Sequence, residues 1–593
     1  MLRPKLAVSL IAITLAACAP AAGTPSGQAP GGADGSQATP SRTLTIIVGA
    51  EPRSLALKAL GQAGVTLATS RRLFNGALTI IDAKGDPLPY LAESLPQLNT
   101  ESWRIEPDGR MVTTYRLRPE TTWHDGSAHT ADDYVFSWQV YSTPDLGQAS
   151  STPFNVMEEV SAPDGRTVVV RWRRSYPDAG RMAGDLPPLP RHVLGPALAE
   201  AASGPAGIDA FINHPYWTRE FVGLGPFRLD RWEPAAFLEG SSFDKHVLGR
   251  PKIPRVNVTF ITDQNTALAR MLAGEAQYAA DSALGNTQAQ LLKGEWAPRN
   301  GGATTTKHDF WRGSFVQLRP EMASPRALLD VRIRQALAHV VDRDALNGVL
   351  FDGDGTMSEN PAIPPTVSYV AELNRGIVRY PLDLRRSEQL MIDAGLVRGA
   401  DGVFTSPTEG RLTWEVKTNA SAENVKETSI LAANWRQAGF DFTEAVLPSA
   451  QAQDGQARAS FPTLYDFGTP VGETALSGYN TNGIPGPENR WSGNNRGGWS
   501  NVEFDTLAST LPGVLEPAER TRLVAQMTGI FTREVVSIPL FFYGLPVAYS
   551  SAVRGPGPVV QEASFEWNIQ SGRSASSASR PPRASRCPSG TPS

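Results

Sequence analysis

The chain has 593 residues and a formal net charge of −4, with 41% hydrophobic and 19% charged residues. That length exceeds one ordinary core and predicts two or three lobes, while 13 Trp and 22 Phe exclude a disordered or fibrous chain. The mild acidity, with no long basic run inside the body, excludes a sequence-independent grip on nucleic acid.

The N-terminal stretch MLRPKLAVSLIAITLAACAP places Arg3 and Lys5 ahead of an apolar run from Leu6 to Leu15, with small residues before Cys18. This is the pattern of a secretory signal and is too short for a spanning helix, so residues 1–18 predict export. Leu15-Ala16-Ala17-Cys18 resembles the bacterial lipobox, which implies lipidation of Cys18 and a membrane anchor at that point. A plain signal peptide with an accidental cysteine is the alternative. Residues 19–42, rich in Gly, Pro, Ser and Ala, have nothing to bury and read as a flexible tether. The second cysteine, Cys587, lies near the other end, and neither cysteine has the spacing of a zinc site.

From Thr43 onward strands and helices interleave without a repeat period, which predicts a mixed α/β body. TLTIIVGA (Thr43 to Ala50) is a strand candidate. In TYRLRPETTWHDGSAHTADDYVFSW (Thr114 to Trp138) the hydrophobic period changes partway. Thr113, Tyr115 and Leu117 alternate with Thr114, Arg116 and Arg118 as a half-buried strand, HDGS makes a turn, and Thr130 with Asp133 predicts a capping box opening a helix. Asp132 and Asp133 then sit where the helix dipole favours negative charge. His124 and His129 are five apart across a turn, which favours structural hydrogen bonds over a metal.

TVVVRW (Thr167 to Trp172) and VNVTFI (Val256 to Ile261) are further strands. GLGPF (Gly223 to Phe227) lacks the spacing of a dinucleotide loop. SSFDK contains Ser242 and Lys245 in S-x-x-K spacing, but without companion motifs of an acyl-enzyme; an exported serine hydrolase is kept as the alternative class. In LDVRIRQALAHVVDRDALNGVL, Asp330 is expected to cap a helix with Ile333, Ala336, Leu337, Val340 and Val341 on its apolar face. FDGDGTMSEN (Phe351 to Asn360) lacks the glycine and closing glutamate of a calcium loop and reads as a turn. Asp383 and Gly395 are expected to start and stop the helix around Leu390, Met391 and Ala394. The stretch after Gln570 has Arg573, Arg580, Arg583 and Arg586 without an acid and predicts disorder over 571–593.

Taken in order, YLAESLP (Tyr90 to Pro96), the Thr114–Trp138 stretch, GLGPF, LAGEAQ (Leu272 to Gln277), DVRIRQALAHVVDRDAL (Asp330 to Leu346), NWRQAGF (Asn434 to Phe440) and the segment Glu519 to Gly544 resemble the bacterial extracellular solute-binding protein family 5. This is the peptide, nickel and opine class of ABC-transporter receptors. The chain departs from the family's motifs at Leu224, Gln277 and Thr469.

The resemblance implies an α/β, two-lobed periplasmic-binding-protein type II fold with an extra subdomain inserted in the first lobe. The limits expected are 43–75, 223–300 and 537–570 for the first lobe, 76–222 for the subdomain and 301–536 for the second lobe. It also implies a monomer without cofactor or catalytic set. Such a protein captures a small peptide or other solute by hinged closure and hands it to ABC transporter permease subunits. The peptide is an oligopeptide or dipeptide; an oligosaccharide, an opine or chelated nickel is the alternative solute.

For the ligand contacts, YDFGTP (Tyr465 to Pro470) resembles the segment in which peptide-binding relatives hold a ligand amine, which implies Asp466 and Phe467. The aromatic and amide-rich loop from Gly478 to Asn501 adds Tyr479, Asn480, Arg490, Trp491 and Trp499 as candidates, and Trp311 in HDFWRGS is a further one. A capped turn at Asp466 and plain core packing of the aromatics are the alternatives.

Overall fold

The computed structural model describes residues 43–60, 68–146, 148–149, 151–448, 451, 454–489, 491–560 and 563–574. Residues 1–42, read above as a signal and a tether, with Cys18, and also Arg490, Cys587 and nearly all of 571–593 lie outside the described residues.

The body starts with β1 (Thr43–Val48), whose Leu44, Ile46, Ile47 and Val48 are buried. An insertion follows, with β2 (Trp103–Ile105), β3 (Met111–Arg116), α1 (Asp132–Ser142), β4 (Met157–Asp164) and β5 (Thr167–Trp172), then α2 (Arg191–Ala201) and α3 (Pro205–Ile212). Its strands pair antiparallel in the order β2-β3-β5-β4. The alternation read from the sequence holds: Thr113, Tyr115 and Leu117 are buried, while Arg116 is exposed. The two polar side chains on the buried face are satisfied: Tyr115 Oη donates to the Ala179 carbonyl at 2.6 Å and Thr113 Oγ1 accepts from Trp172 Nε1 at 2.9 Å.

The expected capping box forms by one half. Helix α1 starts at Asp132 with Ala131 at the cap position and no side-chain cap there. Asp133 reaches back, its Oδ2 accepting from Thr130 N at 3.0 Å and from Trp123 Nε1 at 3.2 Å. Its Oδ1 accepts from Arg191 N at 3.2 Å. One buried carboxylate thus joins the turn, α1 and α2.

The two histidines of this stretch are structural. His124 Nε2 donates to the Gly225 carbonyl at 2.9 Å while its Nδ1 accepts from Gly223 N at 3.3 Å, and burial pushes its imidazole down to about 4. His129 bonds Thr121 Oγ1 at 2.9 Å. The HDGS turn is therefore pinned to the GLGPF segment. That segment needs glycine, because a Cβ at Gly223 or Gly225 would run into the Phe74–Asn75 backbone.

After the insertion come β6 (Phe227–Glu233), β7 (Phe237–Ser242), β8 (Arg255–Phe260), α4 (Gln264–Ala273), β9 (Tyr278–Ala280), α5 (Asn286–Trp296) and β10 (Gly302–Thr306). The chain then crosses to a second sheet. This holds β11 (Phe310–Val316), α6 (Val331–Ala338), α7 (Arg343–Phe351), β12 (Thr356–Met357), α8 (Leu384–Asp393) and β13 (Thr413–Asn419). It continues with α9 (Ala422–Gln437), β14 (Asp441–Leu447), β15 (Leu464–Pro470), α10 (Pro517–Arg533) and β16 (Ser537–Tyr543), after which β17 (Pro546–Ser550) returns to the first sheet.

The first sheet runs β10-β17-β9-β1-β8-β7-β6, with β1 parallel to β8 and β9. The second runs β12-β16-β11-β15-β13-β14, with β13 parallel to β14 and β15. Strand β10 carries the first sheet on to Thr306 and β16 pairs within the second, so the chain passes between the two sheets at 307–309 and 544–545.

The helix expected over Asp330 to Leu350 is two helices. Asp330 caps α6 through Arg332 N at 2.9 Å, and Asp342 caps α7 through Ala345 N at 2.9 Å. A second acceptor at the right place lets the chain restart a helix in a new direction. Ile333, Ala336, Leu337, Val340 and Val341 are all buried, as their spacing predicts. Helix α8 is capped by Asp383 through Arg386 N at 2.9 Å and is followed by Gly395 at φ +86°.

Candidate ligand-binding cleft

In open α/β sheets the carboxyl ends of parallel strands gather loops and helix N-termini, and ligands bind there. Here the loops after β8 and β9 of the first sheet face the loop after β13 of the second. Between them is a cleft of about 570 Å³. Gln264 at the start of α4 and Leu284, Asn286 and Gln290 around α5 line it from one side. Ser421 and Asn424 at the start of α9, Arg312, Glu427, Phe351 and Tyr543 line it from the other, and Gly544 to Pro546 form its end. A volume of this size fits a small solute, and its walls mix amides, charges and apolar surface. A smaller cavity of about 390 Å³ shares Asn286, Gln290, Phe351 and Pro546 with it, and there Lys293 of α5 pairs with Asp354 beyond α7.

The second-lobe wall is built on a buried charge network. Arg312 Nε donates to Glu427 Oε2 at 2.6 Å, and Arg312 Nη2 donates to Thr418 Oγ1 at 3.2 Å and to the Asp466 carbonyl at 3.4 Å. Burial pushes the Glu427 carboxyl up to about 7, against the pull of Arg312, with Asp466 adding to the rise. Glu427 Oε1 is closed to solvent without a partner. Tyr543 stands over Gly468, where its hydroxyl leaves no room for a Cβ.

The sequence-derived candidates fall into different places. Trp311, Phe467, Tyr479 and Trp499 come together, but as an interior aromatic cluster on the face of the second sheet away from α9, each no more than 4% exposed. Phe467 stacks on Phe315 at 4.0 Å between centroids, and Tyr479 stacks on Phe315 at 5.7 Å. Trp499 Nε1 donates to Glu534 Oε2 at 2.6 Å.

Asp466 is fully buried on the opposite face of β15, where its carboxylate accepts from Thr428 Oγ1 at 3.0 Å, and burial pushes it up to about 6. Asn480 caps a turn through Gly483 N at 2.8 Å. Trp491, half-buried at φ +58°, packs against Gly455. Arg490 lies outside the described residues. None of the described candidates lines the cleft; Asp466 meets it through Arg312.

The departures from the family motifs are occupied structurally. Gln277 Oε1 accepts from Thr45 N at 3.0 Å, tying β9 to β1, and Thr469 Oγ1 bonds Tyr479 Oη at 3.0 Å. Ser242 ends β7, and neither it nor Lys245 lines the cleft. Among the described residues no cluster of His, Cys, Asp and Glu is arranged to hold a metal. The residues missed, Arg312 and Glu427, carried a signal: strand alternation places Arg312 on the face opposite Trp311, and Glu427 falls on the buried side of α9 with Leu431.

The family model for bacterial extracellular solute-binding proteins, family 5 Middle, matches residues 93–483. The chain belongs to this family. A putative ABC transporter peptide-binding protein of Brucella ovis is 24% identical over 297 residues, covering 50% of this chain and 51% of that protein. The oligopeptide-binding protein AppA of Bacillus subtilis is 22% identical over 346 residues, 58% of each chain. The chain thus spans about half the length of these curated relatives.

Among solved structures, NikZ from Campylobacter jejuni in complex with Ni(L-His) superposes with a TM-score of 0.67 at 19% identity, over 90% of this chain and 100% of that one. The fold is the two-lobed type II periplasmic-binding-protein fold. Family and neighbours are solute-binding proteins, several of them peptide-binding components of ABC transporters. No helix among the described residues is long and apolar enough to cross a membrane.

Proposed function

We propose that this family 5 protein is the receptor of an ABC importer that captures short peptides outside the membrane and releases them to permease subunits. The observation that carries the reading is the cleft of about 570 Å³ between the strand ends of two lobes joined through 307–309 and 544–545. Paired crossings act as a hinge, and closure is driven only if the closed arrangement holds solute better than the open one. The residues of 43–306 with 546–570 form one hinged half, the insertion riding on it, and 310–543 form the other.

Arg312, Glu427, Asn424 and Tyr543 present charge and amide groups suited to a peptide's termini and backbone. Binding of this kind breaks no bond, so the protein is a carrier rather than an enzyme, works as a monomer, and is held at the membrane through lipidated Cys18. Similarity to peptide-binding relatives supports the solute class. Native mass spectrometry of protein purified from its own cells tests it: a co-purified peptide mass supports the reading. A haem, a nickel chelate or an oligosaccharide in its place refutes the peptide class, and conversion of added peptide refutes the carrier role.

A further inference from the structure

Strand β10 (Gly302–Thr306) ends the first sheet, so one of its two edges has no neighbouring strand among the described residues. Its register against β17 settles which backbone groups point that way. Ser550 N donates to the Gln277 carbonyl at 2.9 Å, on the β9 side, while Ser551 N donates to the Gly301 carbonyl at 2.8 Å. Ser550 stands opposite Gly302, and bonded and unbonded positions alternate along an antiparallel ladder. Ala303 and Thr305 therefore turn their N–H and C=O groups to β17, and Gly302, Thr304 and Thr306 turn theirs outward. Pro546, opposite Thr306, agrees with this, since it has no N–H to give.

Folded proteins commonly guard such an edge with a lysine, a proline or a bulge. The sequence Gly-Ala-Thr-Thr-Thr holds no charge and no proline, and its register against β17 is unbroken.

Beside this edge lies the cavity of about 390 Å³. Thr304, Thr305 and Thr306 all border it, and because successive side chains of a strand point to opposite faces, a cavity that touches three in a row runs along the edge. Its lining presents no free charge among the described residues. Lys293 pairs with Asp354, and His308, pushed below its ordinary value by burial, bonds Thr356 Oγ1 at 3.0 Å. The lining suits a neutral chain of alternating donors and acceptors. Asn286, Gln290, Phe351 and Pro546 border both this cavity and the cleft, so a chain leaving the cleft enters here.

Resting on the reading of the cleft as a peptide site, we propose that a peptide longer than the cleft holds continues into this cavity and adds as a strand to the free edge of β10, exchanging backbone hydrogen bonds with Thr304 and Thr306. A strand covering Thr304 to Thr306 takes about three residues at ~3.4 Å each. The solute is accordingly an oligopeptide with an extended end.

Calorimetric binding to the full chain tests this. An octapeptide of alternating Ala and Ser is expected to bind about tenfold or more tighter than the pentapeptide of the same pattern. The octapeptide is also made with its three N-terminal or its three C-terminal amides N-methylated, and one of these two is expected to fall to the affinity of the pentapeptide. Thr304→Pro deletes an outward N–H and no bond to β17, and is expected to bring the octapeptide-to-pentapeptide ratio near one. Thr304→Val keeps the N–H and loses the hydroxyl, and is expected to keep the ratio.

Equal affinity of the two peptides for the wild type overturns the strand addition while the peptide reading of the cleft stands. An advantage that survives in both N-methylated octapeptides overturns it too, as does one lost in Thr304→Val, which assigns the contact to the hydroxyl. Binding of neither peptide overturns the peptide reading and this inference with it. A ligand-free chain that is dimeric in scattering, and monomeric as Thr304→Pro, gives the edge to a second copy instead. Should Thr304→Pro not fold, the N-methylated peptides decide on the wild type alone.

Discussion

The Lys307 carbonyl oxygen lies against the α-carbon of Gly544 so closely that a Cβ at position 544 would overlap it. These residues belong to the two crossings between the lobes, which therefore run in contact, and any side chain at 544 must push them apart. Gly544→Ala is expected to lower stability by about 1–3 kcal/mol, the usual cost of overpacking, and to change the separation of the lobes. Denaturant unfolding and small-angle scattering check the two parts. A variant with unchanged scattering and stability would show that the crossings tolerate displacement.

The pair Arg312–Glu427 forms the second-lobe wall of the cleft, with side chains 7% and 3% exposed. Removing one member leaves the other charge buried and alone. Arg312→Met is expected to cost about 3–5 kcal/mol, and the double variant Arg312→Met/Glu427→Leu much less. Urea unfolding of the two single variants and the double variant completes the cycle. A loss in the double variant equal to the sum of the two single losses would rule out coupling between the pair.

Asp466 carries a pH signature. Its carboxyl is held at about 6 in the fold against an ordinary 3.8, mainly by burial and in spite of Arg312 and the Ser314 and Thr428 hydroxyls. With the folded value raised, the proton is bound more tightly in the folded state. The stability this provides is full below about pH 4 and is lost as pH rises through 6. The gap corresponds to ~3 kcal/mol. Asp466→Asn is expected to flatten the fall in stability between pH 4 and 7 and to leave the variant more stable than the wild type at pH 8. Melting curves across this range decide it; parallel pH profiles for the two proteins contradict the assignment.

Lys293 and Asp354 join the lobes at the surface, with side chains 57% and 66% exposed. Such a pair contributes little to folding, about 1 kcal/mol or less, and salt screens it. It does bias the lobes toward one another. Lys293→Glu is expected to leave the melting temperature nearly unchanged while expanding the ligand-free protein, most visibly at low ionic strength. Scattering at two salt concentrations reads this directly, and identical radii for both proteins would mean that the pair has no part in closure.

Local patterns in the chain were sufficient for the class of fold and for several elements. The alternation at Thr113, Tyr115 and Leu117, the caps Asp330 and Asp383, and the stop at Gly395 each depend on a few neighbouring residues and one backbone geometry, so the sequence determined them by itself. The order of the motifs also pointed to the family.

What only the tertiary structure decided is which face of each strand is enclosed by which neighbouring element. Trp311 and Arg312, or Tyr465 and Asp466, are neighbours in sequence and opposites in space, since successive side chains of a strand point to opposite sides. Which side becomes core depends on the helix or loop packed there: α9 covers Asp466, and the loop holding Tyr479 and Trp499 encloses Phe467. Glu427 lies 115 residues from Arg312, and Gly544 is further still from Lys307. Pairings at such separation arise from the packing of whole lobes, and short-range periodicity carries no record of them.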